Sequence, residues 1–361
     1  MTLGDWKRWM VIVMYFGSIT VTRADDRMVR QTLDLDEVLP KGATTIWTPG
    51  FQRCWDEVRG MFNLKKIDLV TPTSEVLDAF EWDANATIPI GTSISVVGGK
   101  GPEFARTANR IIDQAFGPGT PKLNPKDWNV PMAQGICCLT VMKQSVEFEL
   151  PFREYAPGPA PFKFTDGREE SVRYFGSYGS LKPQYAGAGW VLAYEPGELI
   201  AVRLRLKEAD QSMFLVMDSR IDSIARAIDL VRKLGGNAKK PESRLDGDDT
   251  LLVPYLALAN QANFLPLLNG GFRGPGDPYD HRFHAALQLV ELELNESGAE
   301  METRSFLVPP GFLGGPGKLG KGEPRKLVFD HPFFLLLWKK GGSHPYLATY
   351  VGGGGLVMKP N

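Results

Sequence analysis

Cysteine and histidine are both scarce in this chain of 361 residues, which has three of the first and four of the second. Cys54, Cys137 and Cys138 form an odd set, and adjacent Cys137 and Cys138 project to opposite faces of a strand. That argues against a disulfide framework and assigns all three the role of small buried hydrophobes. Few histidines leave few ligands for a metal centre, and no Ser/His/Asp arrangement suited to nucleophilic catalysis stands out. An excess of charge of one sign is also missing. A formal net charge of -1 speaks against nucleic acid or an anionic membrane surface as partner. There is no internal repeat and no linker sharp enough to divide the chain.

What is present is ordinary globular material: 43% hydrophobic and 23% charged residues, the balance of a soluble domain. Glycine and proline concentrate at 156–161, 270–278 and 308–324, which suggests long surface loops on a compact scaffold. At the N-terminus, Lys7 and Arg8 precede an apolar run from Trp9 to Val21, followed by Thr22-Arg23-Ala24. That order fits a secretory signal (residues 1–24) cleaved before Asp25, and the run is short for a membrane span. The other reading is an amphipathic first helix. Asn85-Ala86-Thr87 and Asn295-Glu296-Ser297 match glycosylation sequons.

The region 44–117 reads as mostly helical. Phe51, Cys54, Trp55 and Val58 share one helical face behind the start signal Thr48-Pro49. A second helix spans Phe104 to Phe116, with Phe104, Ala108, Ile111, Ile112 and Ala115 on its apolar side. From about residue 134 the pattern changes to strands. Gly135 to Met142 is a continuous apolar run, expected to be buried on both faces. Shorter strands follow at Phe162–Phe164 (before the turn Thr165-Asp166-Gly167), Ser171–Phe175, Trp190–Tyr194, Leu199–Leu206 and Ser212–Met217. One late helix, Ile221 to Leu234, interrupts them. Helices first and antiparallel sheet later imply an α+β fold.

The most informative stretch is Val290 to Phe334. Val290, Leu292 and Leu294 alternate with Glu291 and Glu293 as in a half-buried strand. After Asn295-Glu296-Ser297-Gly298 the alternation resumes, with Ala299, Met301, Thr303 and Ser305 on one face and Glu300, Glu302 and Arg304 on the other. The chain then enters PPGFLGGPGKLGKGEP, which no packed core could use. A strand-patterned segment leading into a free loop is able to add itself to a sheet.

Leu289 to Glu300 resembles the proximal hinge of the serpin family, with Ser297 and Ala299 departing from the usual residues. Phe329-Asp330-His331-Pro332-Phe333-Phe334-Leu335 is similar to that family's signature after its reactive loop. Fainter likenesses lie between Ile136 and Phe152, with Phe148 where Trp is usual and Thr140 where Asn is usual. Phe164-Thr165-Asp166-Gly167, Ser212 to Val216 and Leu252-Val253-Pro254-Tyr255 fall in the expected order, and Thr48-Pro49 matches weakly. The resemblance covers roughly 44–351.

It implies one serpin-like domain (25–361) with helices packed on a large, mostly antiparallel central sheet, further sheets and an exposed reactive-centre-like loop. The implied activity is inhibition of a serine protease by a secreted monomer, extracellular or periplasmic, that is not an enzyme and needs no cofactor, metal, nucleic acid or membrane. The protease cleaves the loop, and the freed hinge enters the main sheet as a new strand. In this chain the hinge set is Glu296, Gly298, Ala299, Glu300, Met301, Thr303 and Ser305. Counting forward from Gly298 places the scissile bond at Phe312-Leu313, suited to a chymotrypsin-like enzyme. Counting back from Phe333 lands near Lys321, and Lys318 or Lys321 suits a trypsin-like one. The counts disagree because the loop is longer than the family norm. The post-loop block is Phe329, His331, Pro332 and Phe333.

Met301 is bulky for insertion, and Pro309 and Pro310 cannot donate to a ladder. Those residues support the alternative of a non-inhibitory serpin-fold binding or scaffold protein. A third reading, a metal-dependent hydrolase, rests on Asp277, His281 and His284 at a spacing that places ligands on one helix face, although Gly274, Pro275, Gly276 and Pro278 make that stretch a loop. Val96-Val97-Gly98-Gly99-Lys100-Gly101 lacks the phosphate-loop spacing and reads as a strand-to-helix connection. Asp246, Asp248 and Asp249 form an acidic turn without the full ligand series of a calcium loop.

Overall fold

The structure is a computed structural model and describes residues 29–67, 69, 76–77, 84–98, 102–117, 123, 135–142, 145–235, 243–268, 271–275, 281–300 and 323–356. In chain order its strands and helices are β1 (Val29–Gln31), β2 (Thr44–Trp47), α1 (Gly50–Met61), α2 (Ala84–Thr87), β3 (Ser93–Gly98), α3 (Pro102–Phe116), β4 (Gly135–Met142) and β5 (Ser145–Glu147). Next come β6 (Arg153–Glu154), β7 (Ala160–Lys163), β8 (Glu169–Val172), β9 (Tyr174–Ser177), β10 (Gly189–Glu195), β11 (Leu199–Leu204), β12 (Gln211–Asp218) and α4 (Ile224–Leu234). The chain closes with β13 (Thr250–Pro254), β14 (Leu256–Asn263), β15 (Gly271–Phe272), β16 (His281–Asn295), β17 (Gly298–Glu300), β18 (Lys326–Val328), β19 (Phe333–Lys339) and β20 (Leu347–Val351).

The central sheet is built around β16. Its neighbours are β14, antiparallel, on one edge, and β4, parallel, on the other, with β3 antiparallel outside β4. All of β4 is buried, because α1 covers one face and α3 the other. Ile136 and Cys138 pack with Phe51, Cys54, Trp55 and Val58 of α1, while Cys137, Leu139 and Val141 pack with Phe104, Ala105, Ala108 and Ile112 of α3. The continuous apolar run therefore reflects a strand with no solvent side. A second sheet of seven strands runs β1-β2-β20-β19-β12-β11-β10. Its outer face receives Ile224, Ala227, Ile228 and Val231 of α4, a helix started by Ser223, whose side chain accepts from Arg226 N. A four-stranded sheet, β18-β13-β9-β6, and the hairpin β7-β8 complete the fold. Among the described residues no helix is long and apolar enough to cross a membrane.

Several expectations need correction. The described part of 44–117 is mostly helical as expected, but the strands β2 and β3 lie within it as well. Both are held by partners distant in sequence, β2 by β20 and β3 by β4, a stabilisation local propensity does not register. The single strand expected at Ser171–Phe175 divides at Arg173. Its first part pairs with β7, and Tyr174–Ser177 joins β13 in another sheet. His281 and His284 sit in β16 and not on a helix face or in a loop, so the spacing that suggested metal ligands has no helix to act through.

Candidate functional site

The hinge forms a wedge in the central sheet. After Asn295, a two-residue turn of Glu296 and Ser297 reverses the chain, and β17 returns antiparallel along β16 with Asn295 opposite Gly298 and Glu293 opposite Glu300. The Asn295 side-chain oxygen accepts from Ser297 N at 2.8 Å, the local bond by which Asn stabilises tight turns. On its other side β17 pairs antiparallel with β5. Strand β5 follows β4 in the chain, so β17 separates β5 from β16. Below the wedge the sheet is closed by the parallel β4–β16 ladder from Gly135 to Met142.

Gly298 has φ +149°, a region glycine occupies without cost and other residues avoid. A Cβ there would lie 2.0 Å from the Val146 carbonyl oxygen and 2.8 Å from Glu147 Cα. Ala299 is buried among Val146, Phe148, Val290, Leu292 and Leu294, so its small side chain suits the inward position expected of it. Glu300, the last described residue of β17, pairs with Ser145. Met301, Thr303, Ser305, Phe312, Leu313, Lys318 and Lys321 lie outside the described residues, as does Asp277.

The turn is fastened from beside the sheet. Phe152 N donates to the Glu296 carbonyl at 2.7 Å and Phe148 N to that of Ser297 at 2.8 Å. The Glu296 carboxylate accepts from the Tyr255 hydroxyl at 2.6 Å. Burial, then the hydrogen bond to Glu296, push that hydroxyl well above its ordinary ionisation range, so it remains a donor. Arg173, paired with Glu154, stacks 4.6 Å from the centre of the Tyr255 ring. Tyr255→Phe should cost about 1.5 kcal/mol, the size of a hydrogen bond to a charged group. The check is the shift in urea midpoint at unchanged slope.

Beneath the β4–β16 seam lies a polar layer. Thr140 faces Ser95 on one side and Gln288 on the other. It stands where the resemblance expected Asn, and its hydroxyl donates to the Gly50 carbonyl of α1 at 3.1 Å. The first turn of α1 presses close, since a Cβ on Gly50 would sit 2.5 Å from Thr140 Cγ2. Gln288 is fully buried. Its amide donates to Gln31 Oε1 at 2.7 Å, and Gln31 Nε2 in turn donates to Asn260 Oδ1 at 2.9 Å and to the Gln288 carbonyl at 3.2 Å. Gln288 Oε1 has no donor, so this buried layer is incompletely satisfied.

The segment after the loop is clamped. Arg325 lies against buried Asp249, with Nη2 to Oδ2 at 2.6 Å and its own N–H to Oδ1 at 2.9 Å. Asp249 also accepts from Asp246 N at 2.7 Å. The acidic turn is therefore an anion site for an arginine of the same chain. Strand β18 then pairs parallel with β13. Phe329 and Phe333 are fully buried, with ring centres 5.4 Å apart. Between them His331 Nδ1 meets Asp330 Oδ1 at 2.7 Å, which orders the entry to β19. Pro332 is half-buried.

The two histidines of the candidate cluster have different neighbours. The His281 ring packs 4.4 Å from that of Phe62, whereas His284 covers Gly135, where a Cβ would collide with its ring. Among the described residues no group of three or more metal-ligating side chains comes together. Sequence reasoning missed Tyr255, Gln31, Asn260, Gln288 and the Asp249–Arg325 pair as parts of the site. The Glu296 and Gly298 it singled out are at its centre.

No family model and no curated protein sequence matches the chain. Solved structures do. The thermophilic serpin tengpin in its native state is similar with a TM-score of 0.55 at 10% identity, covering 89% of this chain and 91% of that one. Serpin-12, a serine protease inhibitor of Manduca sexta, gives 0.53 at 12% identity, with 88% and 94% covered. Human thyroxine-binding globulin, complexed with thyroxine, gives 0.53 at 11% identity, with 86% and 92% covered. With nearly the full length of each chain superposed, and with a hinge hairpin wedged into the central sheet, this chain has the serpin fold.

Proposed function

We propose that the chain is a serpin-type inhibitor of a serine protease, acting by loop cleavage and insertion of the hinge segment. The observation that carries this reading is the wedge, in which Gly298–Glu300 pairs on both sides between β16 and β5. A strand continuing from Glu300 in the same direction runs antiparallel to both β4 and β16, along the seam those two strands now close. Insertion would replace their parallel contact with two antiparallel ladders, which is the more favourable arrangement. It would also bury small inward residues at Thr303 and Ser305. The proposal includes a signal segment at 1–24, one domain at 25–361, secretion as a monomer, and no catalytic residue of its own. Met301, Pro309 and Pro310 favour the second reading, a non-inhibitory binding protein on the same fold.

Incubation with chymotrypsin and with trypsin separates the two. An SDS-resistant complex with either enzyme supports trapping, and clean cleavage without a complex rejects it. Cleavage at Phe312-Leu313, or at Lys318 or Lys321, is read by mass spectrometry. A melt before and after cleavage tests insertion itself. The eight residues from Met301 to Val308 precede the prolines. At a net ~1 kcal/mol per new hydrogen bond their ladder is worth on the order of 8 kcal/mol. At ~2 °C per kcal/mol for a chain of this size, the melting temperature should rise by about 15 °C.

A further inference from the structure

Two thiols meet beneath the sheet, at the contact between α1 and β4. Cys54 lies on the α1 face with Phe51, Trp55 and Val58, and Cys138 on the facing side of β4 with Ile136, all in one buried cluster. Cys137 points the opposite way, into the α3 cluster, as the pleat requires. Cys54 Sγ lies over β4, 3.2 Å from Thr140 Oγ1 and 3.5 Å from the Leu139 carbonyl oxygen. Cys138 is the residue two positions before Thr140 on the same side of the strand, so Cys54 Sγ, seated over Leu139 and Thr140, lies beside the Cys138 side chain in the same buried cluster. Both are free and buried. Burial opposes the Cys54 thiolate, but the neighbouring Cys138 and Thr140 side chains outweigh it and lower that thiol's range. The Cys54 side chain, then burial, raise Cys138. The pair is thus asymmetric, with Cys54 the sulfur readier to ionise.

We propose that Cys54 and Cys138 are a redox-modification site, converted by a peroxide into a disulfide that ties α1 to β4. The Cys54 thiolate attacks one peroxide oxygen. The O–O bond breaks, and the departing hydroxide takes the proton Cys54 gave up, leaving water and a Cys54 sulfenic acid. The Cys138 sulfur then attacks the Cys54 sulfur. The S–O bond breaks, the leaving oxygen carries off the Cys138 proton as a second water, and the S–S bond remains. Two thiols lose two electrons in all, and the peroxide gains them. A small neutral oxidant is the class the burial selects, because a bulky disulfide cannot approach sulfurs covered on every side.

The consequence for function rests on the insertion proposed above, although the disulfide does not. Strand β4 must leave β16 and shift over α1 for a new strand to enter, and a covalent tie between α1 and β4 holds the seam closed.

The test treats the full chain with hydrogen peroxide and digests it without reduction. The expected product is a peptide pair joined through Cys54 and Cys138. It should be absent from Cys54→Ser and Cys138→Ser and retained in Cys137→Ser. Sulfinic acid without a cross-link, or a cross-link that survives Cys138→Ser, overturns the site. The wild-type digest alone decides the matter if a serine variant does not fold. For the closed seam, the melting gain after loop cleavage is compared in oxidised and reduced Cys137→Ser protein. Loss of the gain on oxidation, with recovery in dithiothreitol, supports the lock, and an equal gain in both forms overturns it. No gain in either form defeats the insertion reading and the lock together, while the disulfide stands or falls on the digest.

Discussion

Gly298→Val should drive the hinge out of the central sheet. The valine Cβ would meet the Val146 carbonyl oxygen at 2.0 Å, a backbone atom that no rotamer change moves. The native φ of +149° adds the strain a β-branched residue suffers in that region. Together, roughly 1–3 kcal/mol for forced overpacking and about 1–3 kcal/mol for the backbone exceed what three short-strand residues contribute through their ladders. The expected outcome is loss of hydrogen-exchange protection at Ala299 and Glu300, while β4 and β16 keep theirs. Global stability should fall by about 3 kcal/mol. Retained protection at Ala299 would mean that the wedge tolerates a Cβ and that the close approach to Val146 does not hold the hinge in place.

Asp249→Ala should be the most damaging single change near the loop's far end. The carboxylate is 2% exposed and receives Arg325 through its guanidinium and its backbone N–H. Removing it leaves a largely buried guanidinium without its counter-charge, and breaking a buried pair from one side costs about 3–5 kcal/mol. The Arg325 guanidinium also bonds to the Arg244 carbonyl at 2.7 Å, which places the expected loss near the lower end. Equilibrium unfolding in guanidinium chloride measures it. Asp249→Asn, which keeps the volume and one acceptor, should recover part of the loss. If it recovers none, charge and not shape holds this turn.

How much of this was written locally depends on the element. Gly135 to Met142 announced its double burial because only Thr140 in it is polar, and α1 showed its buried face through Phe51, Cys54, Trp55 and Val58. The hinge was visible because Asn295-Glu296-Ser297-Gly298 interrupts an otherwise strict alternation. The sequence placed Gly298 in the hinge set, and the structure uses it as a residue thin enough to lie against Val146 within the sheet. Strand β3 escaped notice because its stability comes from pairing with β4, and the break at Arg173 because alternation does not say which sheet a strand joins. The polar layer could not be read at all. Gln31 and Gln288 are 257 positions apart and Asp249 and Arg325 are 76 apart, and no local pattern links such pairs.

The ends of the loop differ in kind, and that difference decides what happens to the two pieces once any bond between Glu300 and Glu323 is cut. Upstream, the chain is held by the three residues of β17 and by the bonds of its turn to Phe148, Phe152 and Tyr255. Downstream, it is riveted by Arg325, by β18 and by β19 inside a seven-stranded sheet. The C-terminal fragment therefore stays seated although no covalent bond retains it. Nicked protein should migrate as one body under native conditions and separate into two only in detergent. Under the proposed insertion all travel belongs to the upstream arm, so a symmetric event, one broken peptide bond, would become movement with a single direction.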